Sequence, residues 1–370
     1  MRIAEVAQPG FEGPQLNRFS FHETDCLAHD LAKLMPQTTI AFEAEFDAAR
    51  FAPSESPTAF PGIVLLYDGR PCAAMGYSRE PSSTVVISPP IVLIDATDDI
   101  RRDIYGVLLR RMMQRSVQTG FLQINFLQHD SSVDSLFLSL LAERSFVPAA
   151  TILQWELSTS PGSAAHQADL QNSNTPVKPR HGDCTLHRFD ITNTEDDEVH
   201  EVQTALDAIL RSSDDLPSQP RPRSDELLER WQALQASILM CRTQGKIAGI
   251  LSYVKCMATE PAREIQKACA AEAVSKSYLS LEYIGVVYEF RRRQLASWLI
   301  GQMRLLHQSV RSVEYRSVSD VTAVKAFSDA ANSPATALYE SQGFVLAAEM
   351  QLWCCELKSD QSEKILPAWR

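Results

Sequence analysis

The sequence predicts an α/β (α+β) fold built from two tandem domains, each a mixed sheet flanked by helices. Three observations lead there. Short apolar runs of strand length alternate with amphipathic helical stretches along the chain. A polar segment poor in large apolar residues divides the 370 residues near the middle, and the parts on either side of it repeat one another.

The dividing segment, "STSPGSAAHQADLQNSNTPVKPRHGD", is rich in Ser, Asn, Pro and Gly, a composition that cannot bury a core. The expected organisation is therefore a first domain over residues 1–157, a flexible linker over 158–183 and a second domain over 184–370, each folded part of ordinary domain size. The repeat is carried by "FVPAATILQW" (Phe146–Trp155) and "FVLAAEMQLW" (Phe344–Trp353), which share Phe, Val, two Ala and Trp at a constant separation of 198 residues. A short helical stretch precedes each, and an apolar strand leading into an Arg-containing amphipathic helix lies further upstream. This agreement in element order reads as an internal duplication.

In the second part, strands are expected at Thr185–Phe189, Ser237–Arg242, Ile247–Lys255, Tyr278–Val287, Val321–Phe327 and Phe344–Trp353. Helices are expected at Glu195–Arg211, Asp225–Gln235, from about Glu289 to His307, and at Pro334–Ser341. The third of these rests on Leu295, Leu299, Met303 and Leu306, which fall on one stripe of a helix. In the first part, strands fit Ile63–Tyr67, Cys72–Tyr77, Val85–Ile94, Leu122–Leu127 and Ala150–Leu157, with helices at Ile100–Gln118 and Val133–Glu143.

Composition narrows the function. A net charge of −11 and a pI near 5.3 argue against a nucleic-acid binder, which needs a basic face. None of the eight cysteines forms a CxxC pair and the histidines do not cluster, so no metal is expected. Cys354 and Cys355, on a final strand, read as core rather than as nucleophiles. His307 lies late in its helix, where the dipole favours a cation. No run approaches the roughly 18 apolar residues of a membrane span, and the first residues lack the apolar core of a signal peptide. A reduced, cytoplasmic protein is the expectation.

The stretch "GVVYEFRRRQLASW" (285–298) does not fit an acidic chain. Arg291, Arg292 and Arg293 stand where a helix is expected to start, and the unpaired N–H groups of a helix start already favour anions. Cations there are reasonable if a multiply charged anion such as a pyrophosphate occupies the spot. A solvated decoration is the competing reading.

A strand "YIGVVYEF" followed by Arg-x-x-x-x-Ala resembles the acetyl-CoA signature Gln/Arg-x-x-Gly-x-Gly/Ala of the GCN5-related N-acetyltransferase (GNAT) superfamily, with Arg291 first and Ala296 last. "NSPATALYESQGF" (Asn332–Phe344) is similar to that superfamily's second signature at Asn332, Ala335, Leu338, Tyr339, Gly343 and Phe344. The resemblance covers the whole C-terminal part and implies tandem GNAT-like domains, each with a mixed, mainly antiparallel twisted sheet. Gln294 departs from the signature, standing where a Gly is expected. Helix-start φ/ψ does not require Gly, so the expectation is that its side chain points away and its N–H stays in place.

The resemblance also implies a site. The backbone N–H groups of Arg291, Arg292, Arg293, Gln294, Leu295, Ala296 and Ser297 would cradle the pyrophosphate of acetyl-CoA, the co-substrate. Val286 and Val287 would pair with its pantetheine amides, with an N–H near Val287 polarising the thioester carbonyl. Tyr339 would protonate the leaving thiolate; the alternative is a core tyrosine. Asn332 would contact the cofactor or cap the helix beginning at Pro334, with Ala335 beside it. Apart from the resemblance, Glu282 lies on the strand four residues before Val286, where a carboxylate with a pKa raised by burial would deprotonate the attacking ammonium directly or through water; the alternative is an edge or cross-strand salt bridge.

The equivalent N-terminal stretch, "DATDDIRRDIYGVLL", surrounds Arg101 with Asp98, Asp99 and Asp103, and Leu141 stands opposite Tyr339. Acids repel a pyrophosphate and Leu cannot donate a proton. The N-terminal copy is therefore expected to be degenerate, structural or one wall of a substrate cleft. The reading is an acyl-CoA-dependent N-acetyltransferase acting by direct attack on an amine-bearing acceptor, a small molecule or a peptide or protein amine, as a monomer or homodimer. The insertion Met257–Ser277 and the loop Ser212–Arg223 would border the acceptor. The alternative is a non-catalytic protein that binds CoA or a partner.

Overall fold

Thirteen strands form a single sheet among the described residues of the computed structural model. Those residues are 19–24, 61–80, 83–128, 133–158, 184–192, 196–213, 222–257, 277–309 and 321–357. The expected linker lies outside them except for Ser158, as do nearly all of the expected insertion and most of the loop 212–223. In the N-terminal half the order is β1 (Phe19–Thr24), β2 (Gly62–Tyr67), β3 (Arg70–Glu80), β4 (Thr84–Ile87), β5 (Ile91–Val92), α1 (Asp98–Gln118), β6 (Gln123–Gln128), α2 (Ser135–Glu143) and β7 (Val147–Ser158). The C-terminal half has β8 (Cys184–Phe189), α3 (Asp196–Arg211), α4 (Ser224–Ala233), β9 (Ser237–Thr243), β10 (Lys246–Met257), β11 (Ser277–Val286), α5 (Leu295–Ser309), β12 (Val321–Asp329), α6 (Ser333–Ser341) and β13 (Val345–Glu356).

Three expectations are corrected. The strand expected over Val85–Ile94 is broken, because Pro89 and Pro90 separate β4 from β5 and neither can donate to a ladder. The helix expected from Glu289 begins only at Leu295, after a 3-10 turn at Tyr288–Phe290 and a loop holding the three arginines. On its stripe Leu295, Leu299 and Met303 are buried, but Leu306 is 40% exposed and Trp298 and Ile300 complete the buried face instead.

The strand order is β1-β2-β3-β4-β6-β13-β7-β12-β11-β10-β9-β8, with β5 alongside β3. Adjacent strands are antiparallel except for two pairs, β4 with β6 and β11 with β12. The last strands of the two halves are exchanged. β7 lies between β13 and β12, and β13 lies between β6 and β7, so each half is completed by a strand from the other.

The exchange determines the cores. Leu153, Trp155 and Leu157 of β7 are buried in the C-terminal core with Trp298, Leu299, Tyr339 and Phe344. Cys355 of β13 and Leu357 are buried in the N-terminal core with Phe126, Phe137 and Leu141, and Trp353 packs against that cluster. A third cluster, built on Trp231, Leu206, Ile209 and Ile250, covers the opposite face of the C-terminal sheet beneath α3 and α4. Burial pushes the thiols of Cys354 and Cys355 up to about 11, which leaves them protonated and inert at neutral pH.

Candidate active site

β11 carries a bulge. Its register on β10 passes from Tyr283 opposite Ser252 to Leu281 opposite Tyr253, leaving Glu282 as the extra residue. The bulge reverses the alternation of side chains. Leu281 belongs to the core beneath α5, Tyr283 packs on the α3–α4 side, and Ile284 and Val286 return to the α5 side. The parallel pairing with β12 also ends here, at Leu281 opposite Ala326. Beyond it β11 pairs with β10 alone, while β12 runs on along β7 to Asp329. The two parallel strands therefore part at Glu282 and leave a gap between them.

The ladder decides which backbone groups face that gap. The Val287 N–H donates to the Ala248 carbonyl at 3.0 Å, so it is committed to β10 and not turned toward the gap as expected. Alternation in an antiparallel ladder turns the amides of Ile284 and Val286 to the gap side instead. The Val286 carbonyl accepts from Arg291 Nε at 3.2 Å. Gly285 makes this course possible: a Cβ there would stand 2.7 Å from Ile209 Cγ2 and 2.8 Å from the Tyr283 hydroxyl.

The loop after β11 differs from the expectation in its backbone. Arg292 and Gln294 have φ of +61° and +62°, so position 294 sits in the left-handed region where Gly is preferred, not at an ordinary helix-start geometry. The first bond of α5 runs from the Trp298 N–H to the Gln294 carbonyl at 3.0 Å. The N–H groups of Leu295, Ala296 and Ser297 thus precede the helical ladder and are open to an acceptor.

The arginines have unequal roles. Arg291 donates through Nη2 to Ser212 Oγ at 2.9 Å and stacks over Tyr288, 5.5 Å from the ring centre. Arg293 donates to the Glu289 carbonyl at 3.2 Å and lies over Phe290. These two brace the loop, whereas Arg292 is exposed.

Tyr339 is 4% exposed, its ring 5.3 Å from that of Phe344 and 6.0 Å from that of Trp155 on the exchanged strand. Asn332 caps α6, its Oδ1 accepting from the Ala335 N–H at 3.0 Å, as the capping alternative supposed. Gly343 turns the chain into β13 at φ +80°, and Ser145 makes the equivalent turn at φ +66°.

Glu282 is embedded in charge. Its Oε1 accepts from Ser280 Oγ at 2.9 Å and its Oε2 from Arg230 Nη2 of α4 at 3.2 Å. Arg230 Nη1 pairs in turn with Glu80 Oε2, at the end of β3 in the N-terminal half. Neither Arg230 nor Glu80 carries a local motif, and their contacts join distant parts of the chain, so motif reading passes over both.

The N-terminal half lacks these features. All four residues of β4 pair with β6, and Pro89 and Pro90 follow after Ser88. Its helix begins with Asp98 and Asp99, and Arg101 is taken up by Asp98 and Asp134. Leu141, opposite Tyr339, is fully buried.

Elsewhere, an open cleft of about 480 Å³ lies between α3 and α4, lined by His200, Asp207, Leu210, Arg211, Arg223 and Asp225, beside the described ends of the loop 212–223. Among the described residues, no group of three or more His, Cys, Asp or Glu is placed to hold a metal, and no helix is long and apolar enough to cross a membrane.

No family model matches the sequence, and no curated protein matches it. Solved structures do. A tandem GNAT protein from the clavulanic acid biosynthesis pathway is similar at a TM-score of 0.54 and 14% identity, over 92% of this chain and 99% of that one. Saccharomyces cerevisiae N-myristoyltransferase, solved with myristoyl-CoA, is similar at 0.54 and 10% identity, over 93% of this chain and 80% of that one. A GCN5-related N-acetyltransferase from Sphaerobacter thermophilus follows at 0.50 and 13% identity, over 91% and 96%. At these identities the likeness is one of fold: the chain has the tandem GNAT architecture.

Proposed function

We propose that the chain is an acyl-CoA-dependent N-acyltransferase that moves an acetyl group from acetyl-CoA to a primary amine by direct attack, using the C-terminal half. The parting of β11 and β12 at Glu282 is the observation that carries this reading. It leaves one strand edge, at Ile284 and Val286, for amide partners, and that edge leads into a loop and helix start with open N–H groups.

The residues fit a CoA thioester. The amides of Ile284 and Val286 would bind the pantetheine arm, and the Val286 N–H replaces that of Val287 as the group able to polarise a carbonyl in the gap. Leu295, Ala296 and Ser297 would hold the pyrophosphate through backbone N–H groups, with Arg292 adding charge. Bound there, the co-substrate supplies an electrophilic acyl carbon and a thiolate leaving group. Glu282 would take the proton of the attacking ammonium, directly or through water, and Tyr339 would give its phenolic proton to the departing sulfur. The fold's similarity to an N-acetyltransferase and an N-myristoyltransferase supports acyl transfer; acetyl as the acyl group rests on the signature residues Arg291, Ala296, Asn332 and Tyr339.

Calorimetric titration with acetyl-CoA, followed by thiol release in the presence of primary amines, tests the proposal. Binding with amine-dependent turnover is the expected result. Binding without turnover on any amine, and no effect of Tyr339→Phe, favours the alternative of a CoA- or partner-binding protein. No binding of any acyl-CoA overturns both. The mass of a ligand co-purified with the protein would report the acyl chain length.

A further inference from the structure

The Glu80–Arg230–Glu282 chain joins the two halves at the bulge. Each carboxylate is braced in the same way. Ser78 Oγ donates to Glu80 Oε1 at 3.4 Å and Ser280 Oγ to Glu282 Oε1 at 2.9 Å, and in both cases Arg230 takes Oε2. The side chains are 18%, 18% and 7% exposed for Glu80, Arg230 and Glu282. Partly burying three charges has a desolvation cost, and apolar residues of similar size often hold a fold as well or better. Stability is therefore a weak account of the triad. Its position is a stronger one: Glu282 is the extra residue of the bulge, at the point where β11 and β12 part.

A guanidinium suits this task because its two terminal nitrogens are held in a rigid planar fork, each on a different carboxylate, whereas an ammonium is a single rotating centre that fixes neither direction. With Nη1 on Glu80 and Nη2 on Glu282, Arg230 is fixed from both sides, and the orientation of the Glu282 carboxylate depends on a residue of the N-terminal half.

We propose that Arg230 and Glu80 are positioning residues for Glu282, so that the N-terminal half takes part in acyl transfer through this one guanidinium. The inference rests on the acyltransferase reading, in which Glu282 accepts the proton of the amine. Removing Glu80 leaves Arg230 free to turn, and Glu282 loses its fixed geometry while the acyl-CoA groove stays intact.

The experiment measures steady-state kinetics of the full chain with acetyl-CoA and a panel of primary amines: a lysine peptide, a polyamine and an amino sugar. The variants are Glu80→Gln, Arg230→Lys, Glu282→Gln and the Glu80→Gln/Glu282→Gln double variant, each with its acetyl-CoA affinity and thermal midpoint. Glu80→Gln and Arg230→Lys are expected to lower kcat about ten-fold, the scale of a lost hydrogen bond to a charged group, with acetyl-CoA affinity unchanged. In the Glu282→Gln background, Glu80→Gln should have no further effect, since it acts through that carboxylate. Turnover of Glu80→Gln equal to wild type, or losses that add in the double variant and follow the thermal midpoint, overturns the inference alone. A wild-type chain inactive on every amine overturns the acyltransferase reading and this inference with it. Should Arg230→Lys fail to fold, Glu80→Gln still decides, because it is nearly isosteric and leaves the Arg230 and Glu282 side chains themselves unaltered.

Discussion

Ile152 and Met350 lie directly opposite one another where β7 and β13 pair, and they are separated by the same 198 residues that relate the two repeated sequences. A residue can stand opposite its own repeat only on a two-fold pseudo-axis, so the axis relating the halves passes between these side chains. The flanking pairs obey it: Thr151 faces Gln351 and Leu153 faces Glu349. Trp155 Nε1 donates to Ser328 Oγ at 2.9 Å, and its repeat Trp353 donates through Nε1 to Gln128 Oε1 at 3.2 Å. Each tryptophan is thus anchored to a strand of the opposite half.

Residues 1–158 and 184–370 produced separately are expected to be unfolded or aggregated, because each lacks a central strand and exposes an unpaired ladder. Co-expression should restore a soluble pair that melts in one transition. Independent folding of either half, seen by circular dichroism and gel filtration, would contradict the exchange. Within the full chain, Trp155→Ala should cost about 3–5 kcal/mol of stability by urea unfolding and also lower turnover, since Trp155 lies against Tyr339.

Tyr339→Phe separates chemistry from packing. The ring keeps its contacts with Trp155 and Phe344, so the thermal midpoint should stay within a few degrees. Loss of the phenolic proton should reduce kcat about a hundred-fold, the scale of a general acid. A variant with wild-type kcat would remove Tyr339 from the mechanism and leave it as a core residue.

Positions 285 and 294 should respond to substitution in opposite senses. Gly285→Ala forces a Cβ against Ile209 Cγ2 and the Tyr283 hydroxyl and should destabilise by about 1–3 kcal/mol. Gln294→Gly should stabilise by up to about 1 kcal/mol, because φ of +62° is strained for Gln and ordinary for Gly. It should also tighten acetyl-CoA binding by opening the backbone to the ligand. Chemical denaturation and calorimetry measure the two effects.

His307 should give stability a dependence on pH. Burial, with Lys255 and Arg188 nearby, lowers its pKa below the ordinary 6.5, against the helix-dipole expectation that a cation is favoured there. Its ring stands edge-on to Tyr253 at 5.3 Å. Above about pH 6.5 the neutral ring is present in both folded and unfolded chains and its contribution to stability is complete. As pH falls through 6.5 toward the lower folded value, the unfolded chain binds the proton first and stability is lost. His307→Phe should flatten the fall of the urea midpoint as pH drops below about 6.5, relative to wild type.

The sequence by itself determined most elements of this protein. The repeat around Phe146 and Phe344, the stripe through Leu295, Leu299 and Met303, and the Asn332–Phe344 signature are local patterns, and local patterns depend on backbone periods of two and 3.6 residues. They were enough to anticipate a mixed sheet flanked by helices in each half and to make Glu282 and Tyr339 candidates. What the tertiary structure decided concerns partners distant in the chain. Alternation in β7 and β13 shows that both are strands, but which strand lies beside each is decided by where Trp155 and Trp353 find a core to enter. The bulge at Glu282 moves the amide facing the gap from Val287 to Val286, and a one-residue register shift leaves no mark in composition. The left-handed backbone at Gln294 and the Glu80–Arg230–Glu282 chain arise in the same way, because a strained φ or a shared guanidinium exists only once the surrounding elements hold it.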